Sequence, residues 1–316
     1  MQNPALLLEN SFLKPLLNDE TITDITFNGE KLFFVSNEYG RSFYRNISYS
    51  VVMNLLRQIA NVTNQVFSYQ NPVLDVSFAN YRLSAMHEAI SRFGYQNVCS
   101  FALRIAPKEP LDLFSLGVVN EKIIDLIKMM LKTNKSIVIA GATGVGKTEL
   151  QKYIVSLLSS NKRLIVLDNV QELSSLQKIE HLDITHWEID ERKKESDLAN
   201  LIKTALRFHP DYILIAESRG EEMKEIYKAA LTGHPTIVTI HASRIEGVYP
   251  RLYQMSQTVF SSLTYKEAKE ELKQTFPFVI YLNKKSDETG HIYRYIEKIS
   301  QFNQKGKLEI VYEKAF

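Results

Sequence analysis

Eight consecutive residues carry the clearest chemistry in this sequence: Gly141-Ala142-Thr143-Gly144-Val145-Gly146-Lys147-Thr148. The spacing G-x-x-x-x-G-K-[ST] puts glycines where a backbone must curl so that successive N–H groups converge on one anion. A helix opening at the end of the run aims its positive end at the same anion. Lys147 is then spaced to reach the β- and γ-phosphates of a nucleotide, and Thr148 to hold Mg2+.

Four further groups would turn binding into hydrolysis. The apolar run Tyr212–Ala216 (YILIA) ends at Glu217, which is placed to act on Mg2+ through water. Asp168 and Glu172 follow the run Arg163–Leu167, and one of them would polarise an attacking water. Thr232-Gly233-His234 and His241 flank the run Thr236–Ile240. A histidine at the C-terminal end of a strand in an α/β sheet points toward the ligand crevice. Arginines are needed against the charge of a transferring phosphoryl group. Arg219 lies close to Glu217, and Arg82 and Arg104 lie in the first third of the chain.

These residues need a frame. Ser136–Ala140, Arg163–Leu167, Tyr212–Ala216 and Thr236–Ile240 read as short buried strands. They alternate with helical stretches at Glu121–Leu131, Thr148–Leu158, Leu198–Phe208 and Glu221–Ala230. That alternation predicts a parallel, doubly wound sheet. Thr264 is positioned to cap a charged helix reaching Gln274. The tail, Phe278–Leu282, His291–Ile299 and Leu308–Glu313, reads as an antiparallel extension of the sheet. Residues 1–105 read as a smaller mixed α/β domain. In it, Thr23–Phe27 and Lys31–Ser36 form a hairpin around Asn28-Gly29. Ser48 or Ser50 caps a helix over Val51–Val62, and further strands follow at Val73–Phe78, Tyr81–Met86 and Val98–Ile105. The proline-bearing stretch Ala106–Leu113 reads as a linker, so the division is 1–105, a linker at 106–115, and 116–316.

Composition narrows the function. The chain has 316 residues and a net charge of +2, too balanced to hold nucleic acid by bulk charge. Arg192-Lys193-Lys194 is flanked by Glu191 and Glu195 and reads as a solvated loop, so no sequence-specific nucleic-acid binding is expected. His181 and His186 fall on opposite faces of a strand-like stretch, which excludes a shared metal. The single cysteine, Cys99, rules out an intrachain disulfide and any CxxC zinc site, and reads as a small buried core residue. Met1-Gln2-Asn3-Pro4 lacks the basic segment of a secretory signal, and no apolar run approaches the roughly 20 residues that span a bilayer. A cytoplasmic protein is expected.

Taken in order, the motifs resemble those of the traffic ATPases of type II and type IV secretion systems, most of all the hexameric ATPase of conjugation-type type IV secretion. They are the Walker A loop at Gly141–Thr148, an "Asp box" at Asp168–Leu173 (DNVQEL) and a Walker B segment at Arg207–Glu222 (RFHPDYILIAESRGEE). A "His box" follows at Thr232–Ala242 (TGHPTIVTIHA), and then Arg251-Leu252. Asp24-Ile25, Leu74-Asp75 to Arg82, and Phe101 to Arg104 match more loosely. The resemblance implies a RecA-like P-loop ATPase domain behind a smaller N-terminal α/β domain. It also implies a homo-hexamer with ATP and Mg2+ between the domains, and Arg82 and Arg104 closing over the phosphates. Inner-membrane secretion or pilus components are the implied partners, met by peripheral association at the cytoplasmic face.

Two departures stand out. The box opens Asp168-Asn169 where the family opens Glu-Asp, so a base at Asp168 is one methylene shorter and Glu172 is its rival. The Walker B segment reads Ala216-Glu217-Ser218-Arg219-Gly220-Glu221-Glu222 and keeps the key acid and arginine. The absent CxxC pairs argue against the zinc-bearing assembly ATPases; pilus retraction, competence and tight-adherence ATPases stay open. Asn283-Lys284-Lys285-Ser286-Asp287 is one residue too long for a guanine reader and reads as a polar turn, although Lys284-Lys285 also suits a membrane- or partner-facing edge. The altered box keeps a second reading alive, a nucleotide-gated ring with little turnover.

Overall fold

The computed structural model describes residues 3–38, 40–107, 111–169, 172–190, 193–288, 291–303 and 307–315. Residues 108–110 of the expected linker, Val170 and Gln171 of the Asp box, and Glu191 and Arg192 of the basic run lie outside the described residues. The chain divides into two compact units, Met1–Lys108 with Lys285–Tyr293, and Glu109–Lys284 with Arg294–Phe316. A reading by continuous segments does not anticipate that Lys285–Tyr293 groups with the first unit.

The first unit holds helices α1 (Pro4–Glu9), α2 (Lys14–Leu17) and α3 (Tyr49–Val62). Its strands are β1 (Ile22–Phe27), β2 (Lys31–Ser36), β3 (Gly40–Asn46), β4 (Val73–Phe78), β5 (Tyr81–Met86), β6 (Arg92–Phe93), β7 (Gln96–Asn97) and β8 (Ser100–Ile105). Six of them make an antiparallel sheet in the order β3-β2-β1-β8-β5-β4. The Asn28-Gly29 turn joins β1 to β2. Asn28 Oδ1 accepts the N–H groups of Glu30 and Lys31 at 3.2 and 2.8 Å, and Gly29 takes φ +109°. Strand β5 buries Tyr81, Leu83 and Ala85 in alternation, so one face of the sheet packs on α3, which contributes Val52, Leu55, Leu56 and Ile59. Cys99 is fully buried there, and burial pushes its thiol up to about 12. It is a core residue, not a nucleophile.

The second unit holds α4 (Glu121–Lys132), β9 (Ile137–Gly141), α5 (Lys147–Ser156), β10 (Arg163–Asp168), β11 (Asp183–Glu188), α6 (Leu198–Ala205) and β12 (Tyr212–Ile215). It continues with α7 (Met223–Leu231), β13 (Thr236–His241), α8 (Val248–Ser256), α9 (Tyr265–Thr275), β14 (Phe278–Ser286), β15 (Ile292–Phe302) and β16 (Leu308–Glu313). The sheet order is β11-β10-β12-β13-β9-β14-β15-β16. Every pair from β11 to β14 is parallel, and β15 pairs antiparallel with β16.

The central parallel strands β9, β10 and β12 are buried along nearly their whole length because both faces are covered, whereas the edge strand β11 is half-buried and polar. Ile137, Ile139, Leu164 and Val166 face a core shared with α4 and α5. Val138, Ala140, Ile165 and Leu167, one residue out of step, face α6, α7, α8 and α9. The layered parallel sheet matches the expectation with one correction: β14 is parallel to β9, because α9 returns the chain to the starting end, and the antiparallel extension begins at β15. Helix α8 went unanticipated. Pro250 sits in its first turn, where a proline costs little.

Candidate functional site

Parallel strands bring their C-terminal ends to one edge, and the expected site residues collect there. Gly141 ends β9, Asp168 ends β10, Glu217 follows β12 by two residues, and His241 ends β13. Gly141 and His241 are register partners.

The glycine loop has the conformation its sequence calls for. Gly141, Gly144 and Gly146 take φ of +155°, +74° and +91°. A Cβ on Gly141 would lie 2.5 Å from Leu282 O, so β14 leaves no room for a side chain there. Gly146 caps α5 in the left-handed region, with no side chain over the helix end. The curled backbone and open helix N-terminus form a concave cradle of donors suited to phosphate. Gln151, one turn after Lys147, is fully buried and fixes α5 to the sheet. Its Nε2 donates to Ile215 O at 2.8 Å and Ile237 O at 3.0 Å, on the two strands that lead to Glu217 and His241. Sequence reasoning missed Gln151; the available signal was an amide on a helix face otherwise made of Leu150, Ile154 and Val155.

Lys147, Glu217, His241 and Arg219 form one connected cluster. Lys147 Nζ donates to Gly141 O at 3.1 Å and Ala142 O at 2.9 Å and lies 3.3 Å from His241 Nδ1. His241 Nε2 is 2.7 Å from Glu217 Oε1, and Arg219 donates to Glu217 Oε2 at 2.7 Å. Burial alone would raise the Glu217 carboxyl; the Arg219 hydrogen bond and charge, with His241 and Lys147, outweigh it and hold the group below its ordinary range. His241 is lowered, first by burial and then by the Lys147 charge, against the pull of Glu217. Around neutral pH the site therefore pairs an ionised carboxylate with a neutral imidazole. Glu222 braces the loop from below, its Oε1 accepting the N–H groups of Arg219 at 2.7 Å and Gly220 at 2.9 Å.

The other expected residues make contacts of their own. Asp168 is fully buried; its Oδ2 accepts Leu173 N–H at 2.8 Å and lies 3.9 Å from His186 Nε2. Glu172 is half-buried on the loop that Asp168 organises, and Thr148 is half-buried in the first turn of α5. The Thr148 hydroxyl and the ionised Glu217 carboxylate are hard-oxygen donors of the kind Mg2+ takes. Arg82 and Arg104 belong to the first unit, where they face each other across β5 and β8, with Asp24 opposite Arg104 on β1. His234 precedes β13 and lies at the opposite edge of the sheet, 3.3 Å from Thr232 Oγ1. His181 reaches Leu158 O while His186 turns to Asp168, so the two histidines share no partner.

Two further cations reach the loop: Lys284, read in sequence as part of a polar turn or a membrane- or partner-facing edge, and Arg294, which has no reading in sequence. Lys284 Nζ donates to Thr143 O at 3.2 Å, and Arg294 Nε donates to Gly144 O at 3.0 Å. Neither spacing nor motif marks them; the β14–β15 hairpin brings them in.

Residues 79–291 match the family described as type II/IV secretion system protein. The chain belongs to that family. Among secretion-family relatives, VirB11 of the Brucella suis type IV secretion system is 24% identical over 275 residues, 77% of this chain and 75% of VirB11. An uncharacterized protein of Bacillus anthracis is 26% identical over 331 aligned positions, 98% of this chain and 71% of that protein. The Legionella pneumophila ATPase DotB superposes with a TM-score of 0.70 at 20% identity, over 96% of this chain and 83% of that one. The family's RecA-like P-loop domain, with a smaller α/β domain before it, is the fold of this chain.

Proposed function

We propose that this chain is an ATP-hydrolysing motor, assembled as a homo-hexamer, that powers substrate transfer or pilus biogenesis in a type IV secretion machine at the cytoplasmic face of the inner membrane. The observation that carries the reading is the Lys147–His241–Glu217–Arg219 cluster set against the glycine loop at one edge of the sheet. The backbone of residues 141–148 cradles the phosphates of ATP, and Lys147 exchanges its carbonyl partners for phosphate oxygens. Thr148 and, through water, Glu217 would hold Mg2+, which neutralises phosphate charge when bound.

Between the two candidate bases, burial favours Glu172. Asp168 is sealed in and spends its carboxylate on Leu173 N–H, whereas half-buried Glu172 keeps access to water. Asp168 then shapes the loop that carries Glu172. His241 senses the site by contact with both Lys147 and Glu217. Arg82 and Arg104, register partners on neighbouring strands of the first unit, are the arginines proposed to meet phosphate charge.

The test is steady-state ATP hydrolysis by the purified chain, with the particle mass read on the same samples. A hexamer is expected, with turnover lost by about a hundredfold or more in Lys147→Ala. Glu172→Gln should lose more than Asp168→Asn. Normal turnover in Lys147→Ala overturns the reading. A ring that binds ATP yet hydrolyses it no faster than Lys147→Ala would favour a nucleotide-gated scaffold instead, the reading that the altered Asp box keeps open.

A further inference from the structure

In a phosphate-binding loop the N–H groups converge inward, so the carbonyls of the same peptides point outward. Outward carbonyls need partners, and an unsupported loop can flip a peptide and turn an oxygen toward the anion. Here two consecutive carbonyls are held by cations from outside the loop. Lys284, near the end of β14, donates to Thr143 O at 3.2 Å. Arg294, near the start of β15, donates to Gly144 O at 3.0 Å. Both side chains lie close along the loop: a Cβ on Gly144 would sit 3.3 Å from Lys284 Nζ, and one on Gly146 would sit 3.5 Å from Arg294 Cδ. These are peptides 143–144 and 144–145, whose N–H groups belong to Gly144 and Val145.

We propose that Lys284 and Arg294 are positioning residues for nucleotide phosphates, acting on the ligand through the loop backbone. The proposal rests on the nucleotide-binding reading of Gly141–Thr148. A cation on a carbonyl oxygen polarises its peptide and makes the N–H at the other end a stronger donor. Arg294 therefore strengthens Val145 N–H, and Lys284 strengthens Gly144 N–H. Both also fix the two peptides with N–H inward and add positive potential behind an anionic ligand. Arg294 is the more buried of the two and donates through a planar guanidinium, so it carries the larger share. The ligand class is a nucleoside di- or triphosphate.

The experiment is titration of the full chain with a fluorescent ADP analogue, comparing wild type with Arg294→Gln, Lys284→Gln, Arg294→Lys and Lys147→Ala. Circular dichroism and the nucleotide-free melting midpoint check the fold. Loss of a charged hydrogen bond to the loop predicts a Kd raised about tenfold in Arg294→Gln and about threefold in exposed Lys284→Gln. Arg294→Lys should recover part of the affinity, since it returns the charge but not the planar donor. In turnover assays the loss should fall on KM more than on kcat, and the weakening should shrink as salt is raised. A merely structural role would lower the melting midpoint without a salt-dependent change in affinity. If Arg294→Gln does not fold, Lys284→Gln on the exposed strand end still decides. Wild-type affinity in both Gln variants, with Lys147→Ala weakened, overturns this proposal alone. No binding by the wild type overturns the nucleotide reading and this proposal with it.

Discussion

The two edges of the parallel sheet carry residues from the same short motif and differ in almost every physical respect. At the C-terminal edge, His241 ends β13 in contact with Lys147 and Glu217; burial lowers the imidazole, and neighbouring positive charge lowers the Glu217 carboxyl. At the N-terminal edge, His234 precedes the same strand and lies 3.3 Å from Thr232 Oγ1, beside a groove of about 270 Å³ lined by Ser136, Leu231, Pro235, Gln274 and others. The eight residues from His234 to His241 carry the chain from one edge of the sheet to the other. Adjacency in sequence says little here; strand direction decides which histidine reaches the phosphate loop.

The largest expected effect breaks the charged edge. Glu217→Gln removes the ionised carboxylate that holds Arg219 and faces His241, and should cut ATP turnover by about a hundredfold or more while nucleotide still binds. Phosphate release and nucleotide titration on the same sample separate the two outcomes.

A second substitution probes the link between loop and sheet. Gln151→Leu strips Ile215 O and Ile237 O of a buried donor and should cost about 1–3 kcal/mol, read as a lower urea midpoint at unchanged slope. A midpoint equal to wild type would mean that packing alone seats α5.

A third uses pH. The folded value of His241 is lowered below its ordinary 6.5, so between the two values the unfolded chain binds the extra proton. Stability from neutral His241 is complete above 6.5 and is lost as pH falls through the lowered folded value. Wild type should therefore lose melting temperature from pH 7 to pH 5 more steeply than His241→Gln. His186, lowered mainly by burial, slopes the same way in both proteins and cancels from the difference. Parallel curves would show that His241 feels no such field.

The smallest effect belongs to the opposite edge. His234→Ala should change stability by less than about 0.5 kcal/mol, as for an ordinary surface site, and leave turnover within twofold.

Much of this was legible from residues. Unbroken runs such as Ser136–Ala140 and Tyr212–Ala216 announce strands covered on both faces, and the glycine pattern announces the phosphate cradle, because each follows from local sterics or periodicity. What stayed hidden depends on topology. Lys284 read as part of a polar turn, and Arg294 carried no signal, until β14 and β15 brought them to the carbonyls of Thr143 and Gly144. Asp168 read as a candidate base because it ends a strand beside the loop, but sequence cannot show that its carboxylate is sealed against Leu173 N–H. The parallel entry of β14 depends on where α9 deposits the chain, which no window of residues reveals.

The most direct test of the contrast between edges is phosphate release from ATP by the wild type, Glu217→Gln and His234→Ala measured side by side. The account predicts turnover in the wild type, its near abolition in Glu217→Gln and a rate within twofold of wild type in His234→Ala. Equal losses in the two variants, or an undiminished rate in Glu217→Gln, would contradict the assignment of hydrolysis to the C-terminal edge of the sheet.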